Sequence, residues 1–98
     1  MSNYETVRSE FFDLQRQEKL ISKRFTCREL IMNGRALKKP AGFAGVEIYC
    51  RPDGSRICEE ECFGGAAHGC ARYYSSTGDL VGQDYYQNGG VTSFQVFS

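Results

Sequence analysis

From Tyr4 onward, apolar residues recur at Tyr4, Val7, Phe11, Leu14, Ile21 and Phe25. Steps of three and four residues line up on one side of an α-helix, so the spacing predicts an amphipathic helix through the first quarter of the chain, interrupted only by Glu18. Thr26-Cys27-Arg28-Glu29 has the form of a capping box, in which the Thr hydroxyl and the Glu carboxylate satisfy free backbone N–H groups. A short second helix is expected to follow, burying Cys27, Leu30 and Ile31 and stopping at Asn33-Gly34, where the chain can turn left-handed. Residues 34–45 (GRALKKPAGFAG) have no period and read as a connection.

Beyond this point the period becomes two. Val46, Ile48 and Cys50 alternate with Glu47 and Tyr49, and Pro52-Asp53-Gly54 closes a turn into 55–61, which predicts a hairpin. CFGGAAHGC (62–70) has the small residues of a loop. CARYYSS, DLVGQDYYQ and VTSFQVFS then read as three strands joined at Thr77-Gly78 and Asn88-Gly89. With Asn88-Gly89 as a two-residue loop, Tyr86 faces Val91, Tyr85 faces Thr92 and Val81 faces Val96, so Val81, Tyr85, Phe94 and Val96 are expected on one side, under the helix. The fold class is therefore α+β: an amphipathic N-terminal helix and a short second one on an antiparallel meander of four to five strands. All 98 residues form one domain, helical over 1–34, connecting over 35–45 and a sheet over 46–98.

Charge changes the picture more than composition does. The chain is neutral overall, yet residues 1–40 hold nine Lys/Arg against five Asp/Glu while 41–98 hold three against seven. Such poles steer a charged partner. The N-terminus MSNYETVRSEFF is polar where a secretion signal is apolar, and no apolar run approaches the ~18 residues of a membrane span. These features predict a cytoplasmic protein with no membrane association, whose five cysteines are kept as thiols.

Three clusters carry candidate chemistry. Cys50, Cys58, Cys62 and Cys70, with His68, could supply a tetrahedral zinc shell, but no C-x2-C pair occurs, and a hairpin register placing Cys50 opposite Ile57 turns Cys58 to the other side. His68 and Cys70 could form a thiolate–imidazole pair, without a motif for an oxyanion site. Arg8, Phe12, Arg16, Lys19 and Lys23 recur at helical spacing as a basic ridge that could meet nucleic acid, although a pI near 6.6 is far below that usual for such binders.

The acidic run Glu59-Glu60-Glu61 and the paired tyrosines remain. Consecutive strand residues point to opposite sides, so one of Tyr73-Tyr74 and one of Tyr85-Tyr86 must face outward; Tyr73 and Tyr86 are the expected contacts. The reading that follows is a small stand-alone protein-binding module of the inhibitor, antidote or anti-defence kind, with no enzymatic activity, cofactor or bound metal. Its expected contacts are Glu59, Glu60, Glu61, Tyr73, Tyr86, Arg16, Lys19 and Lys23, and its alternative is a structural-zinc or nucleic-acid-binding domain.

Overall fold

A computed structural model describes residues 3–25, 30–35, 42–64 and 66–97. These residues form one helix, α1 (Tyr4–Arg16), and seven strands: β1 (Ile21–Phe25), β2 (Leu30–Arg35), β3 (Gly42–Cys50), β4 (Arg56–Gly64), β5 (Ala66–Tyr74), β6 (Leu80–Gln87) and β7 (Gly90–Val96). All strands join one antiparallel sheet in the order β2-β1-β3-β4-β5-β6-β7. The chain is thus α+β, with a meander from β3 to β7 and the β1–β2 hairpin added outside β3.

The expected helix is shorter than its apolar stripe. α1 ends at Arg16 because Glu18 adopts a left-handed backbone (φ 55°), and the amides of Glu18 and Lys19 bond back to the carbonyls of Gln15 and Leu14 at 3.1 and 2.9 Å. This reversal satisfies carbonyls that the helix end would leave bare. Ile21 and Phe25 then belong to β1: a spacing of four is about one helical turn, but it is also two strand steps, so it fits either period. Among the described residues the second helix is not found. Leu30–Arg35 is β2 and carries the Asn33-Gly34 pair within the strand, whereas the Thr26–Glu29 capping box lies outside the described residues. The expected 62–70 loop is also mostly strand, divided between β4 and β5.

α1 packs over β4, β5 and β6. Its buried side chains are Tyr4, Val7 and Phe11. Phe11 meets Tyr49 and Tyr73 edge-on at ring separations of 5.1 and 5.9 Å, while Tyr4 meets Tyr73 edge-on and stacks on Phe94 at 5.6 Å. Ile57, Cys58, Ala71, Tyr73 and Val81 complete the core beneath the helix, with Leu20. Edge-to-face rings contribute about 0.5–1.5 kcal/mol per pair beyond their buried area.

Bulges decide which side chains face the helix. The pairing of Tyr49 with Cys58 and of Cys50 with Arg56 leaves Ile57 as an extra residue, so Ile57 and Cys58 both enter the core. Cys50 is therefore not opposite Ile57 as expected. Similar steps make Val81 extra between β5 and β6 and Thr92 extra between β6 and β7. Tyr86 does face Val91, but Tyr85 faces Ser93 and Val96 faces Gly82. The helix side of β6 and β7 accordingly carries Gly82, Asp84, Tyr86, Phe94 and Val96, while Tyr85 belongs to the opposite side. Each bulge adds one residue and shifts the alternation by one place.

Candidate functional site

Polar groups under the helix are there to hold it. Asp84 is fully buried and accepts hydrogen bonds from the Tyr4 hydroxyl, from Arg8 Nε at 2.9 Å and from the Tyr73 hydroxyl at 2.9 Å. Three donors, one of them charged, compensate for taking a carboxylate out of water. The Tyr4 and Tyr73 hydroxyls are pushed well above the ordinary phenol range, first by burial and then by neighbours that include Asp84. Beside them, Glu47 and Glu60 are opposed across β3 and β4. Glu47 accepts from the Tyr49 hydroxyl at 2.5 Å, and burial followed by the charges of Glu60 and Glu47 keeps that phenol protonated.

The opposite side of the sheet is not covered by α1. Register places Lys23, Ile48, Glu59, Arg72, Gln83 and Gln95 in one cross-strand row there. Next to this row the Arg56 guanidinium lies 3.9 Å from the centre of the Tyr74 ring, the Tyr74 hydroxyl donates to Glu59 at 2.9 Å, and Arg56 bonds Glu59 at 2.7 Å. Farther along, Glu61 accepts from the Cys70 amide at 2.7 Å and faces Arg72 at 3.5 Å, and Tyr85 links the side chains of Gln83 and Gln95. Two tyrosines, two arginines and two glutamates thus form a preformed amphipathic face. Burial and the Glu59 hydrogen bond raise the pKa of Tyr74, so its hydroxyl stays a donor at neutral pH.

The expected contact residues divide between the two sides. Glu59 and Glu61 lie on the uncovered side, and Lys23 shares a row with Glu59. Glu60 is buried on the helix side. Tyr73 is fully buried and Tyr86 is half-buried against the core, so Tyr74 and Tyr85 are the outward members of the two pairs. The basic ridge is broken: Arg8 is held by Asp84, Arg16 pairs with Asp13, and Lys19 and Lys23 lie beyond the helix. Cys58 and Cys62 fall on the helix side, Cys70 on the other, and His68 Nδ1 accepts from the Asn88 amide. Among the described residues, no three side chains of His, Cys, Asp or Glu are grouped so as to hold a metal ion, and no helix is long and apolar enough to cross a membrane.

Two anchoring residues, Asp84 and Arg51, are not among those the sequence pattern marks. Alternation with Val81 and Tyr85 inward turns Asp84 outward, and only the bulge at Val81 brings it under the helix; for Arg51, beside a turn, the sequence offers no signal. Comparison with protein-family models, with curated proteins and with solved structures finds no match.

Proposed function

We propose that the protein is a protein-binding module of the inhibitor or antidote kind, which occupies a surface of its partner with the side of the sheet that α1 leaves uncovered. The observation that carries this reading is the clamping of Tyr74 between the Arg56 guanidinium and the Glu59 carboxylate. Tyr and Arg are enriched among the residues that dominate binding energy, and a ring already held in place loses little side-chain freedom on association. Glu59, Glu61, Arg56 and Arg72 add charges of both signs, which favour a partner with a complementary mixed pattern and penalise others. A cytoplasmic location, in which a reducing compartment keeps cysteines as thiols, accompanies this reading. The zinc and nucleic-acid alternatives gain no support, because the cysteines are divided between two sides and the basic ridge is interrupted.

The test is capture from the lysate of the natural host, followed by titration of the purified partner. Tyr74→Ala combined with Tyr85→Ala should weaken binding at least about a hundredfold, the loss of two anchors worth ~1.4 kcal/mol or more each. Glu59→Lys should weaken it further in low salt. Unchanged affinity in both variants would overturn the assignment of this side.

A further inference from the structure

β7 is the last strand of the sheet, and among the described residues no strand pairs with its outer side. The Phe97 amide donates to the Val81 carbonyl at 3.0 Å, so Ser93, Gln95 and Phe97 turn their backbone groups toward β6, whereas Phe94 and Val96 turn theirs outward. All seven residues of β7 are exposed. From Tyr85 to Ser98 the chain has no charged residue and no proline, and the bulge at Thr92 comes before the Ser93–Val96 stretch. Charges, prolines and bulges are the usual devices by which an edge strand avoids pairing with another chain.

The same residues present apolar side chains. Val91, Phe94 and Val96 lie on the helix side of the sheet and are 45, 62 and 44% exposed, because α1 sits mainly over β4 to β6 and reaches β7 with Tyr4, at its start. Between β7 and the first turns of α1 runs an open groove of about 450 Å³, with Val91 and Phe94 on its floor and Tyr4, Glu5 and Ser9 along its wall.

We infer that β7 is a homodimerisation edge: two copies pair β7 with β7 antiparallel across a two-fold axis through Gln95, forming one continuous sheet. In this register Phe94 lies opposite Val96 of the second copy. The outward backbone groups of these residues bond each other, and the same two side chains cover one another on the helix side. Like charges facing each other across a strand pair are costly; this strand carries no charge of either sign, so a second copy meets no repulsion, and it offers a charged foreign strand nothing to select. In this register the paired stretch is Ser93–Phe97, five residues or only ~17 Å at about 3.4 Å each, too narrow to bury the ~800 Å² per partner of a standard stable interface. The dimer is therefore of micromolar affinity and depends on concentration. The inference is independent of the binding reading above, which uses the other side of the sheet.

Sedimentation velocity on the full chain from about 1 to 500 µM, a range that brackets micromolar affinity, tests it. The mass should rise from 11.0 kDa toward twice that value. Phe94→Arg should hold the protein monomeric throughout. Because Phe94 also stacks on Tyr4, Val96→Pro is the second variant: it removes an amide that points outward and leaves the Gln95 and Phe97 bonds to β6 intact. It should weaken self-association at least tenfold with an unchanged circular dichroism spectrum. Tyr74→Ala with Tyr85→Ala should dimerise like the parent, which separates this result from the partner-binding test. A parent protein that remains at 11.0 kDa at every concentration, or a dimer that survives both β7 variants, would overturn the inference.

Discussion

Arg51 grips Glu10 with two parallel hydrogen bonds, Nε to Oε2 at 2.9 Å and Nη2 to Oε1 at 3.0 Å, and so ties the middle of α1 to the turn between β3 and β4. The same guanidinium donates to the carbonyls of Arg56 and Tyr74, both at 2.9 Å, and to the Ser55 hydroxyl. One buried side chain thus joins the helix, the turn and the end of β5. Arg51→Ala should lower stability by about 2–4 kcal/mol, because it leaves two carbonyls without their donor and a carboxylate without its partner. Arg51→Lys should recover only part of this, since an ammonium cannot reproduce the planar fork. Urea denaturation of the two variants checks both figures, and equal stability of the Lys variant and the parent would refute the account.

The second anchor, at Asp84, depends on a residue with no side chain. Gly82 faces Tyr73 across β5 and β6, and a Cβ there would meet the ring of Tyr4 and lie 2.8 Å from the Gln95 carbonyl oxygen. The backbone oxygen cannot move without disturbing the β6–β7 pairing, so Tyr4 would be displaced and its bond to Asp84 lost. Gly82→Ala should cost about 1–3 kcal/mol, the range for overpacking a filled core. Near-ultraviolet circular dichroism should also change as the Tyr4, Tyr73 and Phe94 rings lose their packing.

What could be read in the sequence followed from simple periodicity. Tyr4, Val7 and Phe11 form the buried stripe of α1, and the turns at Pro52-Asp53-Gly54, Thr77-Gly78 and Asn88-Gly89 join the strands of the meander, the last with left-handed φ values of 53° and 87°. Two kinds of information were missing. Ile21 and Phe25 satisfy both periods, so periodicity alone extends the helix through β1 and reads β2 as a second one. Strict alternation also has no place for extra residues: the bulge at Ile57 puts both Ile57 and Cys58 in the core, and those at Val81 and Thr92 put Tyr86 in place of Tyr85 on the helix side. Parity states only that one tyrosine of each pair faces outward. For Tyr73-Tyr74 the choice falls to Asp84, which gives the Tyr73 hydroxyl a buried acceptor, and to Arg56 and Glu59, which hold Tyr74 on the surface.

Glu18 offers a route to higher stability. It is exposed and takes a left-handed backbone at the end of α1, a conformation that costs a residue with a Cβ roughly 1–2 kcal/mol. Glu18→Gly removes that strain, while the extra freedom of glycine in the unfolded chain offsets part of the gain. A net stabilisation of about 0.5–1 kcal/mol is expected, visible as a higher urea midpoint with an unchanged slope. A destabilised variant would mean that the end of α1 is held by other interactions of the Glu18 side chain.

Alkaline pH should unfold the protein through its buried phenols. Burial is the largest cause of the raised pKa at each of Tyr4, Tyr49 and Tyr73; the Asp84 hydrogen bond adds to it at Tyr4, and the Glu60 and Glu47 charges add to it at Tyr49. In the unfolded chain the same groups release their protons near pH ~10. Their contribution to stability is therefore complete below that pH. It declines as pH rises further, because the unfolded state then holds fewer protons than the folded one, by at most about 1.4 kcal/mol per pH unit for each group. Absorbance at 295 nm and circular dichroism, followed together, should show these three tyrosines ionising only as the sheet is lost. Tyr73→Phe should make the decline with pH shallower, and ionisation of all six tyrosines in one wave near pH ~10 with the fold intact would contradict the burial described here.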